Sequence, residues 1–140
     1  MPVTDLCRTD VVTAERDASI QELASTLDSE NVGSVVITDE GAPVGIVTDR
    51  DLTVRVLATG TDPTDETAED VMTTDLVTVH YESGFHEVAR AMATHGVRRL
   101  PVCDQWGDLC GIITADDISE LLADEQQHLA NVVRSQRPPY

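Results

Sequence analysis

The chain contains no lysine: its nine basic residues are all arginine, set against 26 acids for a formal net charge of −17. Polyanions such as DNA, RNA and anionic membrane surfaces are repelled at long range by such a charge, so neither nucleic acid nor membrane is expected as a partner. Aromatic residues make up only 3%. The core must then be aliphatic, and platforms for stacking single-stranded nucleic acid are few. The three cysteines, Cys7, Cys103 and Cys110, are an odd number without CxxC spacing. They fit neither a disulfide framework nor a zinc ribbon. Cys103 and Cys110 fall in apolar, strand-like runs, where a small buried hydrophobe is expected. No apolar run approaches the roughly 20 residues that span a bilayer, and the opening MPVTDLCRTD lacks the basic-plus-apolar pattern of a secretion signal. Together these absences predict a soluble, cytoplasmic, reduced protein.

Signatures of catalysis are missing too. There is no P-loop and no GxGxxG. His80, His86, His95 and His128 lack metal spacing, and no Ser-His-Asp or Cys-His arrangement has support. The chain is read as a binder and not an enzyme, with no metal and no required cofactor.

What is present is a core and a repeat. Apolar residues make up 41% of 140, enough for one compact domain or two intimately packed halves. The acids are spread along the chain as a solvated surface, and an acidic surface without lysine resembles those of proteins from salt-loving organisms. Residues 11–52 align with 76–118. Val12-Thr13 matches Val77-Thr78, Glu22 matches Glu87, Ala24 matches Ala89 and Asp39 matches Asp104, all at an offset of 65. One extra residue in the second turn moves the offset to 66, after which Gly45-Ile46 matches Gly111-Ile112, Thr48 matches Thr114 and Asp51 matches Asp117. Each half begins with a short strand, about 11–14 and 76–79. A helix follows, with Ile20, Leu23, Ala24 and Leu27, or Phe85, Val88, Ala89 and Met92, at i, i+3, i+4, i+7. Ser19 is a candidate N-cap. Two apolar strands come next, SVVIT and PVGIVT joined by DEGA, then RLPVC and LCGIIT joined by DQWGD. A second helix closes each half. The order is β-α-β-β-α, twice, which divides the chain into a first repeat at 5–58, a linker at 59–75 with Thr67 capping one helical turn, a second repeat at 76–125, and a helix end and tail at 126–140. The tail after about Leu129 is expected to be mobile, and Trp106 in its turn is expected to pack a subunit contact or a loop.

The two endings, GIVTDRD and GIITADD, carry the chemistry. A strand stops at a threonine where a helix begins, and the free N–H groups there favour an anion. The hydroxyl adds a donor, and Arg50 adds a charge that pairs with phosphate. An ionised aspartate accepts only, which suits the vicinal hydroxyls of a ribose. Thr and Asp are also ordinary capping residues; their recurrence at matched positions favours a ligand site. Arg98 and Arg99, adjacent in GVRRLPV, are either phosphate anchors or partners of surface acids.

The order, spacing and duplication of these motifs, with GVRRLPVCD and AEDVMTTDLVTV, resemble a tandem pair of CBS (cystathionine-beta-synthase) domains over residues 5 to 125. The resemblance implies an α+β fold in which the two repeats pack about a pseudo-twofold axis. It implies that Thr48 and Thr114 contact phosphate and that Asp51 and Asp117 bind ribose. Val32, Gly33 and Ser34 and their counterparts Val97, Arg98 and Arg99 would face the two clefts, and Ile46 and Ile112, within the two motifs, complete the candidate ligand-binding set. Arg50 before its aspartate, against Asp116 in the second copy, makes the Thr48–Asp51 cleft the expected better site. The other would be empty or take less phosphate. The implied function is that of a regulatory module binding AMP, ADP, ATP or S-adenosylmethionine and signalling to an effector protein. The alternative is a ligand-free structural or dimerisation module. A homodimer is implied, with the apolar sides of helices 20–28 and 85–94 as its interface.

Overall fold

The computed structural model describes residues 1–139. Each half folds as read. In the first, β1 (Thr13–Ala14) runs parallel to β2 (Ser34–Asp39), which pairs antiparallel with β3 (Ala42–Thr48), giving the order β1-β2-β3. Helix α1 (Ile20–Glu30) crosses from β1 to β2. Helix α2 starts at Asp49–Asp51 and continues as a π-helical stretch, Leu52–Leu57. A single turn, α3 (Ala68–Val71), precedes the second half. There β4 (Val79–His80), β5 (Arg99–Cys103) and β6 (Leu109–Thr114) repeat the order and directions of the first sheet. Helix α4 (Phe85–His95) is the counterpart of α1, and α5 (Ala115–Ser135) closes the fold.

Local chemistry explains the boundaries. Ser19 accepts the Glu22 N–H at 3.0 Å and starts α1. Asn31 and Gly96, in the left-handed region, end α1 and α4. Glu40 and Gly41 both have positive φ, 51° and 86°, the geometry of a two-residue hairpin turn matched to strand twist. The longer second turn is organised by the Asp104 carboxylate, which accepts from the N–H groups of Trp106 and Asp108 at 2.9 and 3.0 Å. Trp106 itself is 76% exposed and packs into no loop of its own chain. Helix α5 runs through Ser135, so residues 130–135 continue the helix where a mobile tail is expected. Nothing between Gln126 and Ser135 breaks a helix, and Gln127 donates to Asn131 at 3.0 Å along it.

Strand alternation sorts the apolar residues. Val35, Ile37 and Val47 face Ile20, Leu23, Leu27 and Val56 in one cluster. Leu100, Val102 and Ile113 face Val88, Met92 and Ile118 in another. The apolar sides of α1 and α4, expected at a dimer interface, are therefore spent inside the monomer: Ile20, Leu23, Leu27, Val88 and Met92 are all buried. Periodicity shows that a helix has an apolar side, not whether its own sheet or another chain covers it.

The two halves also exchange their leading segments. Val3 belongs to the second cluster, and Ala68, Val71 and Met72 belong to the first. Four isolated bridges express the exchange as two symmetric pairs: Pro2 with Gly84 and Arg8 with Ile112, Thr67 with Ser19 and Thr73 with Ile46. At offset 65, Pro2 corresponds to Thr67 and Arg8 to Thr73. Each leader thus clasps the opposite repeat along the free edge of its last strand. Arg16 adds ion pairs to Asp39 at 3.2 Å and Glu69 at 3.3 Å, the latter across the Thr67–Ser19 joint.

Candidate ligand cleft between the repeats

Both T-x-x-D endings form reciprocal capping boxes. The Thr48 N–H donates to Asp51 Oδ2 at 2.9 Å, and the Asp51 N–H donates to Thr48 Oγ1 at 3.1 Å. At the second ending the same bonds measure 2.9 and 3.2 Å. In each box the hydroxyl is used as an acceptor, so its proton remains a free donor, and Oδ1 of the aspartate is left outside the box. The preceding turn is tied in the same way in both halves: Asp49 N–H donates to the Gly33 carbonyl at 3.1 Å, and Ala115 N–H to the Arg98 carbonyl at 2.9 Å.

The two endings differ in what surrounds them. A cleft of about 370 Å³ opens between the repeats and is lined by Val32, Gly33 and Ser34 from the first and by Arg99, Ile112, Thr114 and Asp116 from the second. Six of the sequence-predicted residues meet there: Val32, Gly33, Ser34, Arg99, Ile112 and Thr114. Asp117 stands behind Thr114, with its side chain 10% exposed and Oδ1 3.5 Å from the Arg8 guanidinium. Thr48, Arg50, Asp51, Ile46, Val97 and Arg98 do not line this cleft. Asp51 Oδ1 lies 3.7 Å from Arg55, and Ile46 is bonded in both directions to Thr73. Val97 packs on the second core. Arg98 reaches Asp116 at 3.2 Å, both side chains exposed, an arrangement worth at most about 1 kcal/mol.

Small size at Gly33 has a definite use. A Cβ there would lie 3.0 Å from Nη2 of Arg99, so glycine lets that guanidinium cross from the second repeat over the first. Its counterpart position holds Arg98, and the counterpart of Ser34 is Arg99. The small residues of the first repeat and a guanidinium of the second therefore meet in the same cleft.

Sequence reasoning missed Arg8, Asp10, Val11, Val12, Glu30 and Asn31, which line the cleft as well. Arg8 arrives on the leader, held by two backbone bonds of 2.9 Å to Ile112. Behind it Cys7 packs against Gly111, where a Cβ would lie 2.7 Å from its sulfur. Burial pushes the Cys7 thiol above its ordinary pKa, and the Asp117 charge adds to that. The missed signal was upstream of the repeat: DLCRTD (5–10) aligns with DVMTTD (70–75) at the same offset of 65.

Among the described residues no group of three or more His, Cys, Asp or Glu is placed to hold a metal ion, and no helix is long and apolar enough to cross a membrane.

Comparison with known proteins gives a consistent picture. The family model for the CBS domain matches residues 3–58 and 68–124. The Methanopyrus kandleri protein MK0525 is 36% identical over 120 residues, 85% of this chain; the chain spans 61% of that protein's length. Among solved structures, the CBS domain pair of protein MJ0100, in complex with 5′-methylthioadenosine and S-adenosyl-L-methionine, superposes with a TM-score of 0.80 at 32% identity, covering 89% of this chain and 98% of that one. The CBS domain protein PAE2072 from Pyrobaculum aerophilum, complexed with AMP, gives a TM-score of 0.76 at 28% identity and covers 84% of this chain and 89% of that one.

Proposed function

Since the chain belongs to the CBS-domain family as a tandem pair, we propose that it is a regulatory module that binds an adenosine-bearing ligand in the Thr114 cleft and reports its occupancy to a partner protein in the cytoplasm. The observation that carries this reading is the composition of that cleft. About 370 Å³ lies within the range of small-ligand pockets. Val32 and Ile112 offer apolar walls for a base. The Thr114 hydroxyl proton and the Arg8 and Arg99 guanidinia are donors for phosphate. Asp117 Oδ1, now facing Arg8, becomes an acceptor for ribose hydroxyls once Arg8 turns to the phosphate. The ligands bound by MJ0100 and PAE2072, which share this fold, support an adenosyl compound.

The choice of cleft departs from the sequence expectation, which prefers Thr48–Asp51 because of Arg50. Arg50 is one exposed cation, whereas two arginines line the Thr114 cleft. Asp116, the residue counted against it, is already paired with Arg98. Asp10 and Glu30 on the same walls oppose a high negative charge, so AMP or ADP is favoured over ATP. S-adenosylmethionine remains the non-phosphate candidate of the set. No group is assigned a catalytic role. Because residues of both repeats line the cleft, a ligand gains contacts that depend on how the repeats are packed, and it shifts that packing by its differential affinity.

The capping boxes favour a second reading, a structural module in which Thr and Asp only start helices. Isothermal calorimetry with AMP, ADP, ATP, S-adenosylmethionine and 5′-methylthioadenosine separates the two. Saturable binding of at least one compound, weakened by Arg8→Ala with Arg99→Ala, is expected for the sensor. Absence of heat and of any thermal shift at millimolar concentration for all five leaves the structural module.

A further inference from the structure

The two motif aspartates are neutralised from different places. Asp51 Oδ1 lies 3.7 Å from Arg55, four residues along its own helix. Arg55 also donates to the Val71 carbonyl at 2.9 Å, so that cation is tethered. At the place of Arg55 the second repeat has Leu121, and Asp117 takes its cation from the leader instead: Arg8 Nη2 stands 3.5 Å from Oδ1. The pair is loose. The Arg8 side chain is 63% exposed, and its guanidinium has no other ion-pair partner among the described residues. Two backbone bonds of 2.9 Å to Ile112 fix the Arg8 main chain at the edge of the cleft that its side chain lines.

Given the adenosyl-ligand reading of this cleft, on which the inference rests, we propose that Arg8 is its specificity residue. Arg8 occupies the ribose acceptor until a ligand phosphate draws it away, and so selects nucleotides over phosphate-free adenosyl compounds. Asp117 Oδ2 is committed to the Thr114 N–H at 2.9 Å, which leaves Oδ1 as the acceptor for a ribose. The Asp117 side chain is only 10% exposed, and a carboxylate so placed needs a partner in every state. Adenosine offers hydroxyls to Oδ1 but nothing to the displaced guanidinium. Asp10 and Glu30 on the same walls are exposed and keep their water, so they compensate weakly. AMP offers both: hydroxyls to Oδ1, and a phosphate that matches the planar fork of the guanidinium. One loose pair is exchanged for two good contacts. Arg99 differs. It lines the cleft but is in none of the five ion pairs among the described residues, so it rewards a phosphate without penalising its absence.

Calorimetry on the full chain with AMP and adenosine, which differ only in the phosphate, tests the proposal. Arg8→Ala should weaken AMP by roughly 10- to 100-fold, the value of a charge-assisted contact. The same substitution should tighten adenosine by roughly two- to fivefold, because an exposed pair no longer has to be broken. Arg99→Ala should weaken AMP with no gain for adenosine. Arg8→Lys, which keeps the charge and loses the fork, should fall between Arg8→Ala and the unsubstituted chain for both ligands. Adenosine bound no more tightly by Arg8→Ala, equal changes for the two ligands, or binding of 5′-methylthioadenosine without AMP would each overturn the role of Arg8 and leave the ligand reading standing. Absence of binding by every adenosyl compound would remove both.

Discussion

The two capping boxes provide an internal control for the ligand site, because their geometry is the same and their surroundings are not. Thr48→Ala and Thr114→Ala each remove a hydroxyl that accepts one N–H, at 3.1 and 3.2 Å. A lost N-cap costs about 1 kcal/mol, within a range of roughly 0.5–2. For a chain of this length that is a fall in melting temperature of roughly 3–5 °C, and it should be alike for the two variants. Asp51→Asn and Asp117→Asn keep an acceptor for the threonine N–H and lose only the negative charge, about 0.3–1 kcal/mol near a helix start. Binding should break the symmetry. If Asp117 accepts from ribose, its neutral replacement forfeits much of a charge-assisted bond, about 1.5–3 kcal/mol, or roughly 10- to 100-fold in affinity. Asp51→Asn should leave affinity within roughly twofold, because Asp51 does not line the cleft. Differential scanning fluorimetry reads the first pair of effects and calorimetry with AMP the second. Equal losses of affinity in Asp51→Asn and Asp117→Asn, or an unchanged affinity in Asp117→Asn, would refute the assignment.

Gly111→Ala should destabilise the chain by about 1–3 kcal/mol in urea, because its Cβ would meet Cys7 Sγ at 2.7 Å and the Arg8 carbonyl at 3.0 Å; adding Cys7→Ala should recover part of this, and no recovery would place the strain elsewhere. Gly33→Ala meets only the flexible end of Arg99 at 3.0 Å, so its melting temperature should stay nearly unchanged while AMP affinity falls; the reverse pattern would remove Arg99 from the site. Burial raises the pKa of Cys7, Cys103 and Cys110. The unfolded chain therefore ionises first, and thiol-linked stability is lost as pH rises past roughly 8.5 to 9; urea melts at pH 7.5 and 10 should show a fall that is shallower when all three are alanine. With a net charge of −17, screening from a Debye length of about 10 Å to about 3 Å should raise the melting temperature between 0.1 and 1 M salt; a drop would mean that the five ion pairs outweigh the self-repulsion.

The duplicated fold was legible because its signals are local. Ile20, Leu23 and Leu27 repeat at helical spacing and Val35 and Ile37 alternate, and both patterns survive translation by 65 residues; Ser19 marks the first helix start, where the second copy has Gly84. The leaders were not legible. Residues 2–8 carry no apolar period: Val3 is buried in the second core, but the rest of the attachment is backbone pairing to Gly84 and Ile112, which leaves no side-chain signature. Only the faint match of DLCRTD to DVMTTD hints at it. With the leader went Arg8, the cation nearest Asp117. The use made of the helix sides was equally hidden, since an apolar stripe reads the same whether a sheet of its own chain or a second chain covers it.

The difference between the clefts follows from where a substitution falls relative to the pseudo-axis. Charge read along the chain favours the first ending, with Arg50 against Asp116. In three dimensions the Thr114 cleft is assembled from one repeat's ending, the other repeat's strand entrance and a leader that reaches across. The Thr114 ending therefore faces Gly33 and Ser34, and the leader beside it brings Arg8. The second repeat carries Arg98 and Arg99 at the positions equivalent to Gly33 and Ser34, and the leader beside the Thr48 ending brings Thr73 at the place of Arg8. Gly33 against Arg98 is the decisive pair. The glycine leaves open volume, and the arginine at the equivalent place spends its charge on Asp116. Two endings that look interchangeable in sequence thus differ in their surroundings: Thr114 lines an open cleft with Arg8 and Arg99 and Thr48 does not, because the residues that distinguish them include ones contributed by the opposite half of the molecule.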